Sequence, residues 1–155
     1  MRTSLTSLTP DQRDELHFQA LGALVRTESI DGVVAFNEYV LRNKVHAHHR
    51  LMLEFLWNCV VDRQNGLALL PRGAAKTTHG TIGFGSWLVA NFPDIAIGLM
   101  SNTQTQADAF SRAIRNTVDF NPQLVKLFGS LKNTVGAKWT DSEWMRKDAE
   151  GLSGT

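Results

Sequence analysis

Up to residue 65, the chain carries apolar residues at the three- and four-residue spacing that is typical of helices. Thr9 is followed by Pro10 and Gln12, a combination that favours a capped helix start with proline in the first turn. The last segment of this region is apolar almost all round, which predicts that it is buried. Three helices are therefore predicted, over residues 10 to 26, 29 to 43 and 49 to 65.

Two short apolar runs then interrupt the helical pattern and predict buried strands. "GLALLP" at residues 66 to 71 is bounded by glycine and proline, and "DIAIGLMSN" at residues 94 to 102 is similar. Residues 76 to 92 lie between these runs and fit a crossover helix, while residues 137 to 147 predict a third strand. The order strand, helix, strand implies parallel strands joined by right-handed crossovers.

Two further helices are predicted over residues 105 to 118 and 121 to 129. The expected fold is α/β, with three layers around a parallel sheet and a helical N-terminal lead-in. Residues 1 to 65 form the lead-in and residues 66 to 155 the α/β part of a single domain.

The loop between the first predicted strand and its helix has the composition of a phosphate-binding loop. "LLPRGAAKTTHG" at residues 69 to 80 resembles the pattern G-x-x-x-x-G-K-[ST], with Ala75 where the pattern has glycine. Such a loop aims backbone N–H groups and the positive end of a helix dipole at phosphate oxygens, so alanine weakens the match without excluding the chemistry. The candidate residues are Pro71, Arg72, Gly73, Ala74, Ala75, Lys76, Thr77 and Thr78.

A structural interpretation of the same loop stays open. A strand, a turn and a helix that starts with a lysine are a common combination in α/β proteins. In that interpretation Thr77 would only cap the helix and Lys76 would face solvent.

Composition and charge restrict the class of protein. The chain has 155 residues, 43% of them apolar, and a net charge of +1, which fits one globular domain and gives no bulk electrostatic case for nucleic-acid or membrane binding. The single Cys59 cannot form an internal disulfide, and no apolar run approaches the length of a membrane span. We expect a soluble, intracellular protein.

Several motifs together resemble the ATPase domain of phage terminase large subunits, the motors that package viral DNA. The run Pro71 to Thr77 matches that family's P-R-G-x-x-K-[ST] loop, and "NFPDIAIGLMSNT" and "QADAF" match the segments that follow the loop. A histidine and an arginine before the loop, here His49 and Arg50, also recur in the family. The resemblance covers about residues 46 to 130, and the family usually has glycine where this chain has Ala75.

The resemblance implies a P-loop NTPase fold that binds ATP and Mg²⁺ and, when complete, hydrolyses ATP to move DNA into the procapsid. Lys76 would hold the β- and γ-phosphates, Arg72 would stabilise the γ-phosphate, and Thr77 would ligate Mg²⁺. His49 would lie near the adenine. The implied partners are double-stranded viral DNA, the portal, the small terminase subunit and further copies of the chain, in the host cytoplasm and without a membrane.

The family also needs an apolar strand that ends in an aspartate for Mg²⁺, with an adjacent acid to activate water. Asp62 precedes the loop in a predicted helix, and "SEWMRKDAE" lacks the apolar strand, so neither segment fits. The family's nuclease domain is not recognised either, and we expect the chain to be the first part of a motor. The alternatives are a helicase-like or other P-loop ATPase, and a non-catalytic remnant or interaction module.

Other candidate residues have ordinary structural interpretations. His46, His48 and His49 lack nearby carboxylates or thiolates, which favours solvated or helix-capping roles over a metal site. Arg112 and Arg115 are three residues apart on one helix face, where they suit a solvated surface or a contact with DNA phosphates. Trp57 and Trp87 are expected in the core, whereas Trp139 and Trp144 are candidates for exposed positions.

Overall fold

The computed structural model describes residues 9 to 133 and 140 to 146. Helices account for 61% of these residues. In chain order they are α1 (Pro10–Leu24), α2 (Ile30–Tyr39), α3 (Ala47–Val61), a π-helix (Thr77–Phe84), α4 (Gly85–Asn91), α5 (Gln104–Phe120) and α6 (Pro122–Phe128).

The helix starts follow local sequence signals. The Thr9 hydroxyl accepts a hydrogen bond from the Gln12 N–H at 3.3 Å, and the Gln12 side chain accepts one from the Thr9 N–H at 3.0 Å. The predicted capping box of α1 is thereby confirmed. The expectation that the third helix is buried is wrong, because Leu51 is 68% exposed and Val61 is 57% exposed.

No β-strand is present in the ranges that the structure describes, so the predicted three-layer parallel sheet of P-loop NTPase type is wrong. Both apolar runs are irregular chain, with Leu67 77%, Leu69 83% and Met100 96% exposed. A strand needs a neighbouring backbone to accept its hydrogen bonds, and a short apolar run does not specify that neighbour. The apolar character of the two runs was therefore insufficient to predict strands.

The third predicted strand falls partly outside the described residues, at positions 137 to 139 and 147. Within the described part, Arg146 forms an isolated antiparallel bridge with Lys132. The Arg146 side chain is buried, and its Nη1 donates to the carbonyls of Val89 at 2.8 Å and Ala90 at 3.0 Å. These carbonyls belong to the last turn of α4, so the guanidinium satisfies acceptors at a helix end.

The core is built around α4. Trp87 is fully buried, and its Nε1 donates to the Val25 carbonyl at 2.9 Å. The rings of Trp57, Phe84 and Phe92 lie within 6.0 Å of Trp87, measured between centroids. Trp87 is thus in the core as predicted, whereas Trp57 is only partly buried. None of the described helices combines the length and hydropathy needed to cross a bilayer.

The π-helix continues directly into α4 and packs against α2, α3 and α5. π-helices are rare and occur most often as single turns near functional sites. This helix follows the candidate phosphate loop, so the surrounding helices determine where the loop is held.

Candidate phosphate-binding loop

Residues 71 to 75 form a turn immediately before the π-helix. The Ala74 N–H donates to the Pro71 carbonyl at 3.4 Å, and the backbone φ angles are 82° at Gly73 and 49° at Ala75. Lys76 returns to the right-handed region, with φ of −57° and ψ of −38°. An alternation of left- and right-handed residues directs successive N–H groups to one side, as in backbone anion sites.

Ala75 is strained in this conformation, because its Cβ approaches the neighbouring carbonyl when φ is positive. Glycine avoids this contact and is the usual residue at such positions. Positive φ in a non-glycine residue persists where the surrounding structure enforces it. The loop therefore has glycine-like geometry at the position where the sequence substitutes alanine.

The helical hydrogen bonds behind the loop begin close to Ala75. The His79 N–H donates to the Ala75 carbonyl at 3.0 Å. The N–H groups of Lys76, Thr77 and Thr78 precede this bond, and N–H groups in the first turn of a helix have no intrahelical acceptor. They are available to an anion, and the helix dipole adds positive potential at the same end.

The two cations of the loop are accessible. Arg72 and Lys76 are exposed, and neither takes part in the ion pairs found within the described residues. Thr77 is partly buried and Thr78 is exposed. Among the described residues, no group of three or more histidine, cysteine, aspartate or glutamate side chains is arranged to hold a metal ion.

The structure brings His49 to the helix that follows the loop. His49 is the third residue of α3, is 7% exposed, and accepts a hydrogen bond at Nδ1 from the His46 N–H at 3.3 Å. Its ring stacks on that of His79, with 4.1 Å between centroids, and the ring of the exposed His48 is tilted against it, with 3.9 Å between centroids. His49 thus has a helix-capping role and also contacts the π-helix.

Burial lowers the pKa of both stacked histidines, His49 and His79. The pKa of His79 is lowered from 6.5 to about 4, mainly by burial and also by repulsion from a charged His49, His46 or His48. Burial also lowers the pKa of His49, with added repulsion from His48 and His46, although a hydrogen bond from the His49 ring to the Lys44 backbone carbonyl opposes the shift. At neutral pH the His79 ring is therefore uncharged.

Asn37 and His79 are site residues that sequence reasoning missed. Asn37 is fully buried, and its Oδ1 lies 3.0 Å from His79 Nδ1 although the two residues are far apart in sequence. The sequence did contain one signal for this contact: Asn37 places an amide between the apolar residues Val33 and Val40 of a predicted helix. A polar side chain buried on such a face needs a hydrogen-bond partner, so a partner elsewhere in the chain could have been expected.

The two arginines predicted on one helix face both form ion pairs with the same carboxylate. Arg112 and Arg115 contact the two oxygens of Asp141 at 2.6 Å and 2.7 Å. The hydrogen bond from Arg112 is the main reason why the pKa of Asp141 is lowered. The structure therefore gives this pair an intramolecular partner.

Comparison with protein-family models, with curated proteins and with solved structures found no match for this chain.

Proposed function

We propose that residues 71 to 78 bind the phosphates of ATP together with Mg²⁺. The observation that carries the proposal is the pair of left-handed residues, Gly73 and Ala75, directly before a helix start. The exposed Arg72 and Lys76 support it, because they place positive charge on a loop whose N–H groups are available. The phosphate contacts come from one loop and one helix start and require no sheet.

Each loop residue has a distinct proposed role. Lys76 neutralises the β- and γ-phosphates, and Arg72 contacts the γ-phosphate with its planar guanidinium. The Thr77 hydroxyl is the one metal ligand proposed from this loop, and Mg²⁺ would neutralise and orient the phosphates there. Gly73, Ala74, Ala75 and Thr78 contribute backbone, and the His49 ring lies on the side of the π-helix where we place the adenine.

The wider proposal is that the chain is the ATP-binding part of a viral DNA-packaging motor of the terminase large subunit type. The support is the match of the sequence from Pro71 to Thr77 and from Asn91 to Thr103 to that family's motifs. In the complete motor, ATP hydrolysis would drive double-stranded DNA into the procapsid in the host cytoplasm. The proposed partners are the portal, the small terminase subunit and further copies of this chain.

A titration with a fluorescent ATP analogue and Mg²⁺ tests the phosphate site. We expect Lys76→Ala to weaken binding at least about tenfold while the far-ultraviolet circular dichroism stays unchanged, because the exposed side chain contributes charge rather than packing. Lys126→Ala is the matched control, since Lys126 is an exposed lysine on α6. Equal affinities of the two variants would exclude Lys76 from a nucleotide site and refute the proposal.

A further inference from the structure

The Asn37 side chain connects α2 to the π-helix through two hydrogen bonds. Its Nδ2 donates to the Val33 carbonyl at 3.0 Å, so its Oδ1 is the atom that faces His79 Nδ1 at 3.0 Å. An amide oxygen only accepts, which assigns the proton to Nδ1 of the neutral His79 ring. Both side chains are buried, with 0% and 3% exposure, so no bulk solvent competes for this bond.

Gly83 provides the space that Asn37 occupies. A Cβ atom at Gly83 would lie 2.2 Å from Asn37 Oδ1 and 2.9 Å from Cγ. His79 and Gly83 are both in the π-helix, about one turn apart, so the Asn37 amide is held between them. The amide therefore fixes both the position and the rotation of this part of the π-helix.

His79 in turn contacts the strained residue of the loop. Its N–H donates to the Ala75 carbonyl at 3.0 Å, and Ala75 has a φ of 49°. The carbonyl of Ala75 and the N–H of Lys76 belong to the same planar peptide group, so fixing one fixes the other. A continuous series of bonds thus runs from the Asn37 amide to the peptide that begins the candidate phosphate site.

We propose that Asn37 is a positioning residue, which acts through His79 to hold the Ala75–Lys76 peptide in the conformation that presents its N–H to a phosphate. This inference rests on the proposed function for its consequence in nucleotide binding. Its structural part, the restraint on the loop, is measurable without any nucleotide. A strained conformation persists only where neighbouring contacts enforce it, and Asn37 supplies such a contact from another helix.

The test separates this hydrogen bond from simple packing. Asn37→Ala removes both, whereas Asn37→Ala combined with Gly83→Ala fills the vacated space with a methyl group and leaves His79 without its acceptor. Tyr39→Ala is the control, because Tyr39 is a buried residue of the same helix that stacks on Phe18 of α1, with 4.2 Å between ring centroids. Three quantities are measured: urea unfolding, Mg-ATP affinity, and hydrogen exchange of the His79 amide.

We expect the double variant to regain stability relative to Asn37→Ala, yet to bind Mg-ATP about tenfold more weakly than the unmodified chain and to exchange the His79 amide about tenfold faster. The Tyr39 variant should keep the Mg-ATP affinity and the His79 exchange rate of the unmodified chain, provided that it remains folded. Recovery of affinity and exchange together with stability would overturn the inference, because packing alone would then account for Asn37.

If the double variant does not fold, Asn37→Leu takes its place, since leucine is apolar, similar in size and suited to a helical core position. Unchanged Mg-ATP affinity and an unchanged His79 exchange rate in that variant would overturn the inference. If the unmodified chain binds no Mg-ATP, the proposed function fails, and the His79 exchange rate alone decides whether Asn37 restrains the loop.

Discussion

The buried His79 should make the stability of the fold depend on pH in a defined window. Its pKa is lowered from 6.5 to about 4 in the folded chain, first by burial and then by repulsion from His49. The unfolded chain therefore binds the proton more readily than the folded one. Stability is fully present above about pH 6.5, falls as the pH is lowered through that value, and levels off below about pH 4, where both states are protonated.

The size of the effect follows from the same two values. Each unit of difference between folded and unfolded pKa corresponds to about 1.4 kcal/mol, so the shift from 6.5 to about 4 lowers the free energy of unfolding at acidic pH by at most about 3 to 4 kcal/mol. This is a large part of the stability of an ordinary domain, which is about 5 to 15 kcal/mol. We therefore expect a steep loss of stability between neutral pH and about pH 4.

Urea unfolding at a series of pH values measures this dependence. His79→Gln keeps an amide N–H that can donate to Asn37 Oδ1 but does not titrate, so its stability should fall less between about pH 6.5 and pH 4. His17→Gln, at an exposed histidine of α1, is the control for the loss of a histidine. Parallel pH profiles for the His79 variant and the unmodified chain would refute the reasoning.

Three substitutions test other parts of the structure. Ala75→Gly should bind Mg-ATP at least as well as the unmodified chain because glycine removes the strain at positive φ, and a loss of about tenfold in the same titration would indicate a differently shaped loop. Gly83→Ala should destabilise the fold by about 1 to 3 kcal/mol in urea unfolding because its methyl meets the Asn37 amide, and an unchanged midpoint would contradict that packing. Asn121→Ala should lower the free energy of unfolding by about 1 to 2 kcal/mol, since Asn121 caps α6 and donates to the Val40 carbonyl at 2.9 Å. The control Asn116→Ala, at an exposed position, should leave the stability unchanged, and equal effects of the two substitutions in urea unfolding would count against the cap.

The helices could be predicted from the sequence because their signals are local. Apolar spacing and caps such as Thr9 with Gln12 act within a few residues, and the structure has a helix at each predicted place. The strands were wrong because an apolar run such as residues 66 to 71 does not show which backbone lies beside it. Strand formation depends on a partner, and the described residues provide none for this run.

Only the part of the candidate site whose residues are consecutive in sequence could be predicted. The loop from Pro71 to Thr78 follows from residue types at fixed spacing, and its glycine-like geometry at Ala75 is a local property. The contact between Asn37 and His79 joins residues that are 42 positions apart, and no local pattern encodes such a pair. The π-helix was equally hidden, because its sequence fits an ordinary helix and π-helices are rare.

The accessibility of the basic residues gives the folded chain a distinct digestion pattern with trypsin. Arg63 and Arg72 are exposed in the irregular segment between α3 and the π-helix, where a protease can bind an extended backbone. Arg146 is 8% exposed and is held by two carbonyls of α4. Trypsin should therefore cut after Arg63 and Arg72 before it cuts after Arg146, where cleavage should be delayed until α4 unfolds.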